Sequence, residues 1–590
     1  MALRRITVGH RALHRISGRL LALFSLSACV GLQTATQHFA NLCEHDPALG
    51  PHLYGEFYAP WRFFQWTYRW AAGPFKPFFE EAQALGCLAF VVTFAVGLAF
   101  WQGPRITDKL HGSARWANLR DMYLAGLLGQ NPQDSVVVGG IRGLPFGTWF
   151  LRHSGMENVL CYGPPRSGKG AGLVVPTLLT WGHSVFVTDL RGELFQLTSG
   201  YRYRTGQRVY RYAPGEPNSV SWNPLSEIRL NSEHTVADVQ LVATLLVDPD
   251  GKGLQDHWQK TAQSLLVGLI LYALLEDDRH PTLRRIDALL SDPEYSSNEL
   301  WVTMTNSDHP LIAASGRDML DRPPQEAGSV LSTAKSYLAL YRDPVVAQNT
   351  TRSDFRLRDL MHHAKPHSLY LVTQPADKDR LRPLVRLMVS MAVRTLATDV
   401  GIQGGKPEAN YRHRLLLMLD EFPALGSLPV LTESLAFLGG YGIKSYLICQ
   451  DTVQLRSVYG PDETITAACH VQVAFPPNRT QTAQHLSELL GKTTVRYRAP
   501  SKNAQGSRTF TTHWAGRALL TPDECHSLPG PRKRRSGQIT RAGHMLTIVA
   551  GHPPVYGLQP LYFKHRSLRI RAALPPLASP DSTRPCPSNL

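Results

Sequence analysis

Charge is sparse in this chain and cysteine is scattered. Asp, Glu, Lys and Arg make up 18% of the 590 residues while 43% are hydrophobic, a balance that excludes a charge-rich disordered protein and leaves room for several packed domains with some membrane content. The eight cysteines include no C-x-x-C pair and no Cys/His cluster at zinc spacing. That argues against a metal finger or a disulfide framework and suits a reducing compartment. Residues 1–19 lack any acidic residue, and residues 232–360 lack strand-like runs. What the chain does have is a basic surplus, 62 Lys and Arg against 46 Asp and Glu for a net charge of +16. That surplus suits a polyanion or an anionic membrane surface without deciding between them.

The amino-terminal end reads as a membrane anchor. Arg4, Arg5, Arg11, Arg15 and Arg19 precede an uncharged stretch from Leu20 to Leu42, and a second, more apolar uncharged run spans Leu85 to Trp101. Each approaches the roughly 20 residues a helix needs to cross the hydrocarbon core. The intervening residues 43–84 are aromatic-rich (Phe57, Tyr58, Trp61, Phe63, Phe64, Trp66, Tyr68, Trp70), as suits an interfacial belt or a packing surface, and basic residues return at Arg105, Lys109, Arg115 and Arg120. Positive charge on both outer flanks places both ends in the cytoplasm and the aromatic loop outside. Leu26-Ser27-Ala28-Cys29 also resembles a lipoprotein cleavage site, which leaves a cleaved leader as the alternative for the first segment.

The chemistry begins at residue 159. Val159, Leu160, Cys161 and Tyr162 form an apolar strand that breaks into Gly163-Pro164-Pro165-Arg166-Ser167-Gly168-Lys169-Gly170, the G-x-x-x-x-G-K spacing of a phosphate-binding loop. Glycines let successive N–H groups converge on one anion, the next helix presents its positive end, and Lys169 reaches the outer phosphates. Gly170 stands where a magnesium-binding Ser or Thr is expected. A helix is expected from Gly170 to Trp181, ended or kinked by Pro176.

Beyond the loop, the apolar runs Ser184–Thr188, Val209–Tyr212, Leu369–Thr373, Leu415–Leu419, Tyr446–Cys449, Val471–Phe475 and Met545–Ala550 alternate with helical stretches such as Leu381–Thr398 and Thr480–Leu490. This is the pattern of a parallel sheet covered on both faces, with its ligand at the carboxyl ends of the strands. Residues 232–360 read as an all-α insertion, with helical spacing at Glu233–Leu246, Trp258–Leu275 and Ala327–Tyr341. Leu415–Leu419 ends in Asp420-Glu421. Hydrolysing a nucleotide needs a metal on the β and γ oxygens and a base for the attacking water; Asp420 fits the magnesium role and Glu421 the water-activating role. Gln450 at the next strand end is a candidate for orienting the γ-phosphate or the water. Arg191 and Glu193 flank the same edge, and Arg456 and Arg479 are candidates for an arginine supplied to a neighbouring subunit.

Ordered blocks run through almost the whole chain: HGSARWA at 111–117, GPPRSGKGAGLVVPTLLTW at 163–181, VTDLRGELFQLTSGYR at 187–202, WNPLSEI at 222–228, SVLSTAKSYLALYRDP at 329–344, LDEFPALGSLPVLTESLAFLGGYGIKSYLICQD at 419–451, ALLTPDE at 518–524 and VAGHPPVYG at 549–557. In these the chain resembles the type IV secretion coupling proteins of the TraG family, inner-membrane ATPases that link a DNA relaxosome to a conjugative channel. The resemblance implies a RecA-like P-loop NTPase domain with an inserted all-α domain, preceded by two transmembrane helices. It implies ATP and Mg2+ as cofactors, relaxase-bound single-stranded DNA as cargo, the inner-membrane channel components as partners, and a homo-hexamer in the bacterial inner membrane with most of the chain cytoplasmic. It also makes glycine at position 170 a trait of the subgroup. A nucleotide-regulated docking receptor for protein effectors is the alternative.

The expected organisation is a basic amino terminus at 1–19, an anchor at 20–102 with helices at 20–40 and 84–102, and a nucleotide-binding domain at 103–231 and 361–570 around an all-α domain at 232–360. A disordered Pro/Ser-rich tail at 571–590 closes the chain. Arg496, Arg498, Lys502, Arg508 and Arg532-Lys533-Arg534-Arg535 are loop residues in this reading, either phosphate contacts or a solvated face.

Overall fold

The computed structural model describes residues 3–99, 110–143, 147–291, 297–398, 400–403, 406–502 and 508–583. Arg105 and Lys109, and the side chains of Arg4, Arg5, Arg11, Arg15, Arg19, Lys502 and Arg508, lie outside the described residues. The chain divides into two compact units, Met1–Leu110 and His111–Leu590.

The first unit is built on the long helices α1 (Leu3–Leu42) and α3 (Lys76–Ala99), with the short α2 (Arg62–Trp70) between them. Small residues bring the two long helices together. A Cβ on Gly31 would lie 2.7 Å from the Gly86 carbonyl, and one on Gly86 would lie 2.8 Å from the Ala35 Cβ, a close approach of two helices that the missing glycine side chains permit. The aromatic segment divides: Tyr58, Phe63 and Trp66 are buried with Phe39 and Phe79, whereas Trp61, Phe64 and Tyr68 are exposed. Phe39 stacks on Phe79 at 4.0 Å and the Trp66 indole donates to the Leu49 carbonyl at 3.1 Å. Among the described residues one helix is long and apolar enough to span a bilayer, over Lys76–Gly97; the first expected span lies within the forty-residue α1.

The second unit is organised by a nine-stranded sheet. Its strands in chain order are β1 (Val159–Tyr162), β2 (Ser184–Asp189), β3 (Arg208–Tyr212), β4 (His367–Val372), β5 (Leu415–Leu419), β6 (Ile443–Cys449), β7 (Val471–Ala474), β8 (His544–Val549) and β9 (Val555–Leu558), arranged β9-β8-β7-β1-β6-β5-β2-β4-β3. Strands β7 through β3 in that order are parallel. Their apolar runs are unbroken because both faces are covered. Val159 and Cys161 enter one core while Leu160 and Tyr162 enter the other, and Leu416 and Met418 are separated from Leu415, Leu417 and Leu419 in the same way, as the two-residue period of a strand requires.

Between β3 and β4 the described residues form helices and no strand, including Thr235–Val247, His257–Leu275, Leu283–Ser291, Ser297–Thr305, Pro310–Asp321 and Pro324–Leu338. The two ends of this insertion are tied by Glu227, whose carboxylate accepts from the Trp222 indole and the Leu357 amide.

Four expectations are corrected. Strand β8 is expected in the parallel alternation, but it pairs antiparallel with both β7 and β9; the short connection of residues 550–554 makes β8 and β9 a hairpin, which forces that pair antiparallel. The helix expected to Trp181 is a wide i→i+5 turn at Gly170–Val174 running into a short helix, Val175–Leu178; Pro176 sits in the first turn of that helix, where its missing N–H is tolerated.

Residues 571–583 are ordered. The Leu577 amide donates to Ser199 Oγ, Arg211 donates to the Pro580 carbonyl at 2.7 Å, and Ser582 donates to the Val209 carbonyl at 3.0 Å. β3 is the sheet's last strand and its free backbone edge takes the last two of these partners; residues 584–590 lie outside the described residues.

The late basic positions are not plain loop. Arg496 and Arg498 lie on a long hairpin, Lys492–Lys502 with Arg508–Ala518, and Arg532 and Lys533 start a second, short one. HGSARWA packs on the base of the first hairpin, where a Cβ on Gly112 would lie 2.1 Å from the Lys492 carbonyl.

Candidate phosphate-binding and catalytic site

The carboxyl ends of β1, β6, β5 and β2, four adjacent strands, bring the site together. From β1 the chain turns at Gly163, whose amide donates to the Cys449 carbonyl at the end of β6. A Cβ on Gly163 would sit 3.1 Å from Lys169 Cδ, so the glycine lets the lysine fold back over the loop. Gly168 has φ +89° and Arg166 has φ +61°; the second is a left-handed conformation that costs a non-glycine residue of order 1 kcal/mol and is held only by its surroundings.

Lys169 Nζ lies 2.8 Å from Glu421 Oε2 and 3.6 Å from Asp420 Oδ1. Gln450 donates from Nε2 to the other Glu421 oxygen, and its own amide is held by Gln454 Oε1 at 2.8 Å. The structure thus joins Lys169, Asp420, Glu421 and Gln450 in one cluster, as the sequence placed them. Glu421 has φ +57°, which turns its side chain back over the strand end.

Electrostatics follow from burial and these pairings. Burial lowers the Lys169 pKa, but Asp420 and Glu421 outweigh it and hold the ammonium above the ordinary lysine value. Glu421 is pushed up by burial yet held below the usual carboxylate range by Lys169, Gln450 and Gln454. Asp420 is raised, by burial first and by the Glu421 charge as well, against the pull of Lys169. Two buried polar atoms in the site, Asp420 Oδ1 and Ser167 Oγ, have no hydrogen-bond partner. Asp420 Oδ1 thus has only the Lys169 ammonium at 3.6 Å and no hydrogen bond, and a buried carboxylate oxygen with that spare capacity at the strand tip fits a hard divalent cation.

Gly170 resolves into a narrower fact. No atom lies within 4 Å of where its Cβ would be, and its φ is not positive. Neither packing nor backbone dictates glycine here, and a hydroxyl side chain would fit.

Other residues at this edge lie outside the cluster of four. Asp189, ending β2, is buried and accepts from the Phe195 amide at 2.9 Å, shaping the turn into the helix Glu193–Arg204. Arg191 and Glu193 pair with each other at the surface. Arg479 lies 3.5 Å from Asp451, and Arg456 is exposed on the helix Thr452–Tyr459.

Sequence reasoning missed the outer support of the loop. Lys533 Nζ donates to the Arg166 carbonyl at 2.6 Å and Gln559 Nε2 to the Ser167 carbonyl at 2.9 Å. Gln559 is fully buried, and Ile539 Cδ1 lies 3.0 Å from where a Gly168 Cβ would be. No motif marks Gln559, while Lys533 sat inside a basic run.

The model of the family described as type IV secretory system conjugative DNA transfer matches residues 109–583. The chain belongs to that family. It is 50% identical to a conjugal transfer protein TraG of Escherichia coli over 593 aligned residues, which cover 94% of this chain and 93% of TraG. Membership ties the chain to conjugative DNA transfer by a coupling protein of a type IV secretion system. Among solved structures, the unbound coupling protein TrwB matches with a TM-score of 0.55 at 19% identity, covering 75% of this chain and 92% of TrwB. TrwB in complex with ADP and Mg2+ matches with a TM-score of 0.54 at 18% identity, covering 76% of this chain and 94% of that one. The mixed α/β fold around a largely parallel sheet is therefore the coupling-protein fold.

Proposed function

We propose that this coupling protein is a membrane-anchored ATP hydrolase that recruits relaxase-bound single-stranded DNA and drives it toward the secretion channel. The observation that carries the proposal is the cluster of Lys169, Asp420, Glu421 and Gln450 at the carboxyl ends of adjacent strands beside the phosphate loop. In this reading residues Gly163 to Gly170 cradle the phosphates, and Lys169 leaves the two carboxylates for the outer phosphates, a stronger anion. Asp420 would hold magnesium, which supplies charge neutralisation at the β and γ oxygens. Glu421, kept ionised by its neighbours, is then the base for the attacking water, and Gln450 fixes its orientation.

The membrane half of the proposal is two spans, within α1 and over Lys76–Gly97, with both chain ends cytoplasmic and the aromatic segment on the far side of a bacterial inner membrane. The working form is a homo-hexamer in contact with inner-membrane channel components. The test is phosphate release from ATP by the full chain in detergent, with and without single-stranded DNA, alongside mating efficiency. DNA-stimulated release that disappears in Lys169→Ala and Glu421→Gln, together with transfer, is expected. Release undiminished in both variants overturns the site, and transfer surviving Glu421→Gln points instead to a docking receptor.

A further inference from the structure

No acidic residue stands between Glu524 and Asp581, and that interval contains the run Arg532-Lys533-Arg534-Arg535 followed by Arg541. The structure folds this run into a two-stranded hairpin, Arg532–Lys533 against Ile539–Arg541, closed by a turn in which Gly537 (φ +82°) donates to the Arg534 carbonyl. The four consecutive cations are all exposed, and among the described residues no carboxylate pairs with them. Four like charges in one turn with no counter-charge repel one another, a cost that a row of phosphates removes.

The same hairpin touches the phosphate loop. Lys533, one of the four, donates to the Arg166 carbonyl at 2.6 Å, and Ile539 packs at Gly168. Arg166 is the non-glycine residue held at φ +61°. A trans peptide sets its C=O and the Ser167 N–H on opposite sides; that N–H donates to the Pro164 carbonyl at 3.1 Å, so Lys533 outside and this turn bond inside together fix the orientation of the Arg166–Ser167 peptide and the curl of the loop. Lys533 therefore has two possible anionic or dipolar partners, the loop carbonyl and a polyanion laid along the hairpin, and its single ammonium chooses between them.

We infer that the Arg532–Arg541 hairpin is a nucleic-acid sensor for the nucleotide loop: single-stranded DNA engages Arg532, Arg534 and Arg535, draws Lys533 from the Arg166 carbonyl, and loosens the loop's hold on bound nucleotide. The partner is an extended polyphosphate, favoured over a protein surface because the charge is unneutralised and the family transfers DNA. The device speeds release of ADP when cargo is present, a step that commonly limits turnover in such enzymes. This inference rests on the nucleotide-hydrolase reading above.

The test uses the full chain in detergent, a fluorescent ADP and an oligothymidylate strand. Saturating strand is expected to weaken ADP binding by about fivefold or more, and ADP to weaken strand binding by the same factor, since coupling is reciprocal. In Lys533→Gln the factor falls to about 1, while Lys533→Arg, which keeps charge and donor, retains most of it. In the triple variant Arg532→Gln, Arg534→Gln, Arg535→Gln, the strand binds more weakly, its log–log salt slope drops by about 2, and the coupling factor falls toward 1 because the strand no longer lies along the hairpin. A wild-type factor in Lys533→Gln overturns the inference, as does an unchanged salt slope in the triple variant. A triple variant that instead shifts the oligomer distribution in sedimentation, with its slope unchanged, makes the hairpin a contact between copies and also overturns it. No ADP binding by the unmodified chain overturns the hydrolase reading together with this one, whereas ADP binding with no coupling overturns only the sensor.

Discussion

Two lysines at opposite ends of the same sheet meet opposite fates. Lys169, at the carboxyl edge, faces Asp420 and Glu421 and is held above the ordinary lysine pKa despite burial. Lys444, near the amino end of β6, is fully buried and donates to the Gly155 carbonyl at 2.6 Å, the Glu157 carbonyl at 2.9 Å and His153 Nδ1 at 2.9 Å. Its pKa is pushed down to about 7, by burial first and by the nearby Arg414. Dipoles satisfy a buried ammonium's hydrogen bonds, but they do not repay its lost hydration as carboxylates do. Burial alone therefore does not mark the chemical edge of this sheet. Paired opposite charge does, and pairing is what a competing phosphate can exploit.

The largest expected effect removes the lysine from the paired end. Lys169→Ala should lower ATP hydrolysis by about a thousandfold, the upper range for deleting one electrostatic contact to a developing charge, measured as phosphate release. Glu421→Gln keeps a similar shape but no base, and hydrolysis should fall about a hundredfold or more while fluorescent ATP still binds, which separates chemistry from affinity. Gln559→Ala leaves the buried Ser167 carbonyl without its donor, a loss of about 1–3 kcal/mol; the nucleotide dissociation constant should rise about tenfold with a smaller change in maximal rate.

The unpaired end is tested by pH. With Lys444 titrating at about 7 in the folded chain and near 10.5 when unfolded, the unfolded chain binds more protons between those values, so stability rises with pH in that window. Below it the full cost of the buried charge is present. From about pH 7 to about pH 9 the contribution should be about 2 kcal/mol, visible as a rise in the urea midpoint that is absent in Lys444→Met. The smallest effect belongs to Gly170→Ser. With open space at the Cβ and no positive φ, it should stabilise the second unit by about 0.5 kcal/mol through reduced backbone freedom, and lower the magnesium concentration needed for half-maximal hydrolysis.

The legible parts of the candidate site were those in which one short segment carries both a strand and the polar residues at its tip. Val159–Lys169 and Leu415–Glu421 each announce a buried strand by an apolar run and a reactive end by the residues that follow, so Lys169, Asp420 and Glu421 came together as read. The parallel sheet and the helical insertion were legible for the same reason, since their periodicities are local. The reading failed where a partner lies far along the chain. Residues 571–583 look like tail by composition, yet the free edge of β3 gives their backbone a place. Lys533 looks like a solvated or DNA-facing cation, yet it reaches a carbonyl 367 residues earlier.

By itself, then, the sequence determined the glycine-rich loop, the acidic strand tip, the alternation that makes a doubly covered sheet and the family, because each is written in contiguous residues. The tertiary structure alone decided that the last two strands run antiparallel, that Arg166 keeps a left-handed backbone, and that Gln559 and Lys533 hold the loop from outside. It also decided that Lys169 and Lys444 differ in charge behaviour. Those outcomes depend on which groups meet across the core, and apolar periodicity records that a residue is buried without recording what it is buried against.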